Sequence, residues 1–210
     1  MRDAGAPSTM IEDARQFIAA TSDQVLSAVD HERDAIRRNP ARAYAIVNDV
    51  VGRRVDIERV SRLVLGKYWR TATRAQRERF KSAFLEKLIR TYVTGISRQV
   101  AVVFDGERPE ITYLSSTISK DGTEVTVRTR LGGADAPPLR VDYRLQRFGE
   151  TWQLYDIVVE GVSLVMTYRS SYAAQIKRTG MDGLIERINS EMPGAYRENR
   201  VIGRSAADGN

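Results

Sequence analysis

Few residues in this chain could perform chemistry, and its lack of cysteine and of a second histidine excludes cysteine-based and histidine-based catalytic sites. The chain has one histidine, His31, in the polar stretch 30–39, and no cysteine. It therefore cannot assemble a histidine triad, a thiolate nucleophile, a disulfide or a zinc cluster. Ser163 lies in the sequence Gly-Val-Ser-Leu-Val, which lacks the final glycine of a nucleophile elbow. We interpret Ser163 as a helix-start residue.

Asp156 is the remaining candidate for a catalytic group. In the predicted strand 151–159 it shares strand parity with Trp152 and Leu154, which places a carboxyl group on an apolar face. Two roles stay open: a buried base that acts on a small apolar substrate, or a structural acceptor for a nearby backbone amide. The structural role is favoured. We expect no catalytic residue, no metal site and no cofactor.

Charge and composition narrow the function further. The chain has 33 basic and 27 acidic residues, a formal net charge of +6, and its arginines are scattered rather than clustered. A nucleic-acid interface would show a concentrated basic stripe, so no nucleic-acid partner is expected. The glycines at 106 and 132–133 lack the spacing of a phosphate-binding loop. No apolar run approaches the roughly 20 residues that cross a bilayer.

The first half of the chain is predicted to be helical. Asp56 caps one helix that stops at Gly66, and Thr73 with Gln76 forms a capping box that opens the longest one. Caps and breakers predict four helices with these approximate bounds: 9–39, 40–51, 57–65 and 73–97. A further helix follows Gly161 and stops near Gly180, before a last short helix.

The longest predicted helix carries an unusually wide apolar surface. One row repeats every four residues and a second row adjoins it, whereas a surface helix needs one stripe. The two rows are Phe80, Phe84, Leu88, Tyr92 and Ile96, and Leu85, Ile89 and Val93. This helix is therefore predicted to be buried on two sides.

The pattern changes to period two near residue 100. Five strands are predicted, at 100–104, 110–118, 123–131, 139–148 and 151–159. Asp121-Gly122 and Gly149-Glu150 mark tight turns, and residues 132–138 form a longer loop. Residues alternate between an apolar and a charged face, so one face of the antiparallel meander is covered and the other is wet.

These elements predict an α+β fold, an antiparallel meander sheet wrapped by a helical subdomain with an apolar cavity between them. We expect a single unit over residues 10–193. Its helical part covers 10–98 and 162–193, and its sheet part covers 100–159. A flexible start at 1–9 and a loose tail at 194–210 flank it.

Several segments resemble the toluene-tolerance family, which includes the periplasmic phospholipid-binding component of the Mla lipid-transport system of Gram-negative bacteria. The resemblance covers about residues 40–190. The segments that carry it are 64–70 (VLGKYWR), 72–77 (ATRAQR), 80–92, 149–155 with its tryptophan, 155–165 (YDIVVEGVSLV), 168–169 and 180–185 (GMDGLI).

The resemblance implies a soluble carrier that holds phospholipid acyl chains between a nuclear-transport-factor-like sheet and the helices. It also implies a periplasmic location, with the signal peptide absent from this sequence. The implied partners are an outer-membrane lipoprotein complex and an inner-membrane ABC transporter with its lipid-binding, membrane-anchored subunit. The carrier would shuttle lipid between them and maintain outer-membrane lipid asymmetry.

A carrier of this kind needs a deep aliphatic cavity, because exposed acyl chains cost roughly 25 cal/mol per Å² in water. The predicted lipid-binding walls are Leu63, Phe80, Phe84 and Leu88 from the helices, Val127, Val141, Tyr143 and Leu145 from the sheet, and Val162 and Val165 after the last strand. A solid core at these positions would contradict the cavity. Arg70 and Arg169 are candidates for contact with a lipid phosphate at its mouth.

Overall fold

The described part of the chain combines helices with an antiparallel sheet. The computed structural model describes residues 7–39, 41–103, 110–133 and 136–191. The helices are α1 (Pro7–His31), α2 (Arg33–Arg38), α3 (Ala41–Val51), α4 (Ile57–Leu65), α5 (Lys67–Thr71), α6 (Arg74–Val103) and α7 (Leu164–Ser190), with a 3₁₀ turn at Gly52–Arg54. Within these ranges, no helix contains a stretch long and apolar enough to cross a membrane.

The six strands form one antiparallel sheet. The strands are β1 (Glu110–Tyr113), β2 (Thr117–Ile118), β3 (Glu124–Gly133), β4 (Ala136–Phe148), β5 (Thr151–Val159) and β6 (Val162–Ser163). Their order is β1-β3-β4-β5-β6, and β2 also pairs with β3. The predicted meander and the α+β class are confirmed. The predicted tail beyond residue 193 lies outside the described residues.

Three predicted boundaries are wrong. Residues 100–103 continue α6 instead of forming a strand, because no glycine or proline interrupts the backbone after Ser97. The predicted strand 110–118 is two strands, since three residues, 114–116, lie opposite only two residues of β3. The predicted loop 132–138 is mostly strand, as Gly133 already pairs with Ala136. In addition, α1 begins at Pro7, ahead of the predicted start.

The predicted Asp56 cap, the Thr73–Gln76 capping box and the break at Gly180 are confirmed. The Asp56 carboxylate accepts a hydrogen bond from the Arg59 backbone amide at 2.9 Å. Thr73 and Gln76 exchange the two bonds of a capping box, at 3.0 and 3.2 Å. Gly180 interrupts α7 with a φ of 71°, a left-handed conformation that glycine adopts without steric cost.

Two apolar clusters organise the fold. The helical cluster lies between α4, α5, α6 and α7, and its fully buried side chains include Phe80, Phe84, Leu184 and Ile185. The sheet cluster lies between α1 and the covered face of β3, β4 and β5. Its buried side chains are Met10, Ala14, Ile18, Val125, Val127, Leu145, Trp152 and Leu154. Val55 packs against both clusters and joins them.

Helix α6 is buried on two sides, as its wide apolar surface predicts. Phe80 and Phe84 belong to the helical cluster, whereas Ile89 packs with Ala43 of α3 in a third, smaller cluster. Leu85 of the second apolar row packs against the same small cluster. The long helix therefore separates two sets of helices.

Candidate functional site

The ten predicted wall residues divide between separate parts of the molecule. Leu63, Phe80, Phe84, Leu88 and Val165 belong to the helical cluster or pack against it. Val127, Tyr143 and Leu145 belong to the sheet cluster or pack against it, and Val141 is buried in β4. Val162 is 58% exposed at the start of β6. The structure does not bring all ten residues around a single gap.

The helical side of the predicted gap is filled by aromatic rings. The Phe80 and Phe84 rings stack at 5.2 Å, and Phe84 meets the edges of Tyr168 and Tyr172 at 5.1 and 5.6 Å. Phe80 and Phe84 are at most 1% exposed. These wall residues therefore contact one another rather than an open cavity.

On the sheet side, half-buried residues adjoin a buried centre, as Leu63 and Leu88 do in the helical cluster. Tyr143 pairs with Val127 on β3 and with Ile157 on β5, so the three side chains share the covered face. Burial raises the pKa of Tyr143 to about 12, yet Tyr143, Ile157 and Tyr113 remain only half-buried. Accessible apolar surface thus borders the close-packed Val127 and Leu145.

Asp156 does not lie on the apolar face that strand parity predicted. Arg144 pairs with Asp156 and Leu145 pairs with Leu154, so Tyr155 is the extra residue of a β-bulge. The bulge turns Asp156 to the face of Arg144, opposite Leu154. Strict alternation fails here because one residue is inserted.

The Asp156 carboxylate acts as a structural acceptor. It accepts hydrogen bonds from Arg144 Nη1 at 3.0 Å, from Ser163 Oγ at 2.7 Å and from the Val165 backbone amide at 3.1 Å. Ser163 in turn caps α7 by accepting a bond from the Met166 amide at 3.1 Å. Asp156 therefore ties β5 to the first turn of α7, and Ser163 is the helix-start residue that was predicted.

A polar seam joins α4 to the sheet. Arg59 donates to Glu124 Oε1 at 2.5 Å and to Gln146, and its guanidinium lies 3.7 Å from the centre of the Tyr155 ring. The Tyr155 hydroxyl donates to Glu124 Oε2 at 2.8 Å. Beside this network, the Asp56 amide donates to the Leu154 carbonyl at 2.9 Å. We call these contacts the seam.

The seam shifts the pKa values of its members. Burial alone would raise the pKa of Glu124, but the hydrogen bonds from Arg59 and Tyr155 outweigh it and lower that pKa. Burial, reinforced by the bond to Glu124, raises the pKa of Tyr155 to about 12. Glu124 is therefore held as a carboxylate and Tyr155 as a neutral phenol.

The sequence analysis missed the seam. Arg59 and Glu124 are 65 positions apart, and a single sequence has no signal that pairs them. The two arginines proposed for a cavity mouth are placed differently: Arg70 is exposed on α5, whereas the Arg169 guanidinium packs beside Gly66 at the end of α4.

A separate cavity of about 280 Å³ opens where α1, the 3₁₀ turn and β5 meet. None of the ten predicted wall residues lines it. Its lining residues are Phe17, Ala20, Thr21, Arg53, Arg54, Thr151, Trp152 and Gln153.

Comparison with known protein sequences identifies relatives of this chain. The toluene tolerance protein ttg2D of Pseudomonas putida is 24% identical over 166 residues, which cover 79% of this chain and 74% of that protein. The intermembrane phospholipid transport system binding protein MlaC of Haemophilus influenzae is 21% identical over 170 residues, 80% of this chain and 76% of that protein.

A solved structure has the same fold. The phospholipid-binding protein from Ralstonia solanacearum, determined in complex with a phospholipid, superposes with a TM-score of 0.73 and 26% identity, and the match covers 85% of this chain and 96% of that one. The model of the MlaC protein family matches residues 19–190, which confirms the resemblance found in the sequence. This chain therefore belongs to the MlaC family.

Proposed function

We propose that this chain is a phospholipid carrier. The observation that carries the proposal is the Ralstonia solanacearum structure, which has this fold across 85% of the chain and holds a phospholipid. The relatives from Pseudomonas putida and Haemophilus influenzae carry names of toluene tolerance and phospholipid transport. A carrier of this family needs no catalytic group. The three hydrogen bonds that the Asp156 carboxylate accepts agree with a structural role.

The lipid tails are proposed to lie against the covered face of the sheet. Tyr143 and Ile157 offer accessible apolar surface there, next to buried Val127 and Leu145. The helical cluster is close-packed, so the helical wall residues Phe80 and Phe84 contact acyl chains only after the two layers separate. The seam is the point at which α4 and the sheet would part.

The carrier is further proposed to work in the periplasm. It would shuttle lipid between an outer-membrane lipoprotein complex and an inner-membrane ABC transporter with its membrane-anchored lipid-binding subunit. The name of the Haemophilus influenzae relative, an intermembrane phospholipid transport system binding protein, supports this role. Pull-down of each complex from envelope extracts with the purified chain tests it, and failure to capture either one would contradict the shuttle.

Native mass spectrometry of the purified protein, followed by lipid extraction from the same sample, tests lipid binding directly. We expect added masses that match phospholipids and uptake of labelled phospholipid by delipidated protein. A protein that is lipid-free and takes up no labelled lipid would contradict the carrier. It would favour the alternative of a pocket enzyme with Asp156 as base.

A reversible clamp tests the separation of the layers. Val55 and Leu154 pair in a parallel bridge beside the seam, which brings their backbones to a separation that a disulfide can span. Because the chain has no cysteine, Val55→Cys with Leu154→Cys creates a single disulfide. We expect the oxidised protein to exchange labelled lipid at least about tenfold more slowly than the same protein after reduction. Equal rates would show that the layers need not part here.

A further inference from the structure

The cavity between α1, the 3₁₀ turn and β5 has the chemistry of an anion site. Two of its lining residues are the adjacent arginines Arg53 and Arg54, and no lining residue is a carboxylate. Arg53 forms an exposed ion pair with Asp49, one turn earlier on α3. Positive charge therefore exceeds negative charge at this opening.

Arg54 is the stronger of the two candidates for anion binding. Its guanidinium donates to two neutral acceptors, the Val50 carbonyl and Gln24 Oε1, the latter at 2.7 Å. Among the described residues it has no carboxylate partner. The two bonds fix the orientation of the guanidinium while its charge stays uncompensated, so an anion would meet a positioned donor group.

The opposite wall of the cavity is apolar. Phe17 and Ala20 come from α1, and Trp152 comes from β5, where it is 5% exposed within the sheet cluster. The Thr21 hydroxyl already donates to the Phe17 carbonyl at 2.7 Å, which leaves the arginines as the charged donors. The site thus combines a cationic edge with an apolar floor.

We propose that this cavity binds a small phosphate-bearing amphiphile, with its phosphate on Arg53 and Arg54 and its apolar part against Phe17 and Trp152. Two adjacent guanidiniums match the several acceptor oxygens of a phosphate. A volume of about 280 Å³ is at the low end for ligand pockets, so the ligand is smaller than a two-tailed phospholipid. None of the ten predicted wall residues lines this site, but Trp152 belongs to the sheet cluster and Phe17 packs against it, so the site adjoins the face proposed for the lipid tails.

The fluorescence of Trp152 can report binding at this site. The chain contains two tryptophans, and Trp69 lies in the helical cluster, away from the cavity. Trp69→Phe therefore leaves Trp152 as the sole indole. Titration with inorganic phosphate, glycerophosphate and a short-chain lysophospholipid, followed by Trp152 fluorescence, measures binding. Calorimetry on the unsubstituted chain repeats the measurement without any substitution.

We expect the lysophospholipid and glycerophosphate to bind saturably, and their affinity to fall as salt increases. Binding of the lysophospholipid alone assigns the site to lipid headgroups, and equal binding of glycerophosphate or inorganic phosphate assigns it to free phosphates. Arg54→Gln should weaken binding at least about tenfold, the usual effect of losing a charged hydrogen bond. Arg53→Gln, which removes a 77% exposed side chain, should weaken it less.

Arg62→Gln is the matched control. Arg62 forms an exposed ion pair with Glu58 on α4, like that of Arg53 with Asp49, but it lies outside the cavity lining. It should leave the affinity unchanged. The proposal is overturned if no phosphate compound binds in either measurement, if hexanoate binds as tightly as the phosphates, or if Arg62→Gln weakens binding as much as Arg54→Gln does. It is also overturned if Arg54→Gln leaves lysophospholipid binding unchanged, because that ligand would then lie on the sheet face as cargo.

Discussion

The helical cluster and the sheet cluster are built from similar apolar residues but are packed differently. In the helical cluster, Phe80, Phe84 and Tyr172 have ring centres within 6.0 Å of one another. In the sheet cluster, buried Val127 borders half-buried Tyr143. The helices thus surround Phe84 with stacked and edge-on aromatic rings, whereas the sheet has no such aromatic packing around Tyr143, although half-buried apolar residues border both clusters.

The seam between the clusters differs from both of them. It consists largely of polar contacts, with Glu124 37% and Arg59 24% exposed. Partly exposed ion pairs contribute little, typically about 0–1 kcal/mol, whereas opening a close-packed apolar cluster costs several times more. The molecule is therefore expected to open at the seam rather than inside the helical cluster.

Phe84→Ala should have the largest effect on stability. Phe84 is 1% exposed and contacts three other aromatic rings, so truncation leaves a cavity that the rigid helices do not fill. We expect a loss of about 3–5 kcal/mol in the free energy of unfolding, measured by urea denaturation. Lipid bound per folded molecule should change little.

Tyr143→Ala on the sheet side provides the contrast. Because Tyr143 already borders accessible surface, the loss of stability should be about half that of Phe84→Ala. Lipid uptake per folded molecule should fall, since the substitution removes part of the proposed wall. If Phe84→Ala impaired uptake more than Tyr143→Ala did, the helical cluster rather than the sheet face would hold the lipid.

Asp156→Asn tests the link between the sheet and the helical cluster. The Asp156 side chain is 3% exposed, and it joins Arg144 of β4 to the first turn of α7. Asparagine keeps an acceptor oxygen but loses the charge, and Arg144 is 42% exposed and can be solvated. We expect a loss of about 1–2 kcal/mol by thermal denaturation, with lipid uptake retained.

Asp142→Asn is the control for this prediction. Asp142 is also largely buried and pairs with Arg140 of β4 and, at 3.9 Å, with Arg128 of β3, but among the described residues it makes no bond to α7. Its effect on stability should be smaller. If Asp156→Asn abolished turnover of a substrate and Asp142→Asn did not, the enzyme alternative would be supported.

Local sequence signals predicted much of this fold. The Thr73–Gln76 capping box and the Asp56 cap depend on neighbouring residues, and the structure has both. The two-sided burial of α6 follows from its row spacing. These features were predictable because the interactions that produce them span only a few positions along the chain.

The errors come from insertions and from long-range contacts. The bulge at Tyr155 reverses the face of Asp156, and period-two reasoning has no means of locating one extra residue. The apolar run 100–103 fits a strand or a helix equally well, and continuity with α6 decided it. The predicted wall residues fall into two clusters because of the way in which α1 and α7 pack. The spacing of residues along the chain carries no information about that packing.

Titration of one tyrosine in each cluster allows the two clusters to be compared. Burial raises the pKa of Tyr143 to about 12, above the ordinary value near 10, and it also raises the pKa of Tyr172. Each raised pKa means that the folded state favours the neutral phenol. For Tyr143, this stabilisation is complete below pH 10 and is lost as the pH rises through the folded-state pKa near 12.

Phenolate absorbance should therefore show a late step near pH 12 that Tyr143→Phe reduces. Bound phospholipid should shift the Tyr143 part of the step to higher pH, because acyl chains would cover the remaining accessible surface. Tyr172 should not respond, because it lies in the helical cluster, away from the proposed lipid face. An unchanged Tyr143 step with lipid bound would place the ligand elsewhere.

Two helix caps provide the smallest and most specific test of the comparison. Thr73 caps α6, which carries the helical cluster, whereas Asp56 caps α4 at the seam. Thr73→Ala and Asp56→Ala should each lower stability by about 1 kcal/mol in urea denaturation, because each removes one capping bond.

Their effects on lipid exchange should differ. Asp56→Ala loosens the helix that must leave the sheet, so labelled lipid should exchange faster, whereas Thr73→Ala should leave the rate unchanged. Equal exchange rates in the two variants would mean that the seam does not control access to the sheet.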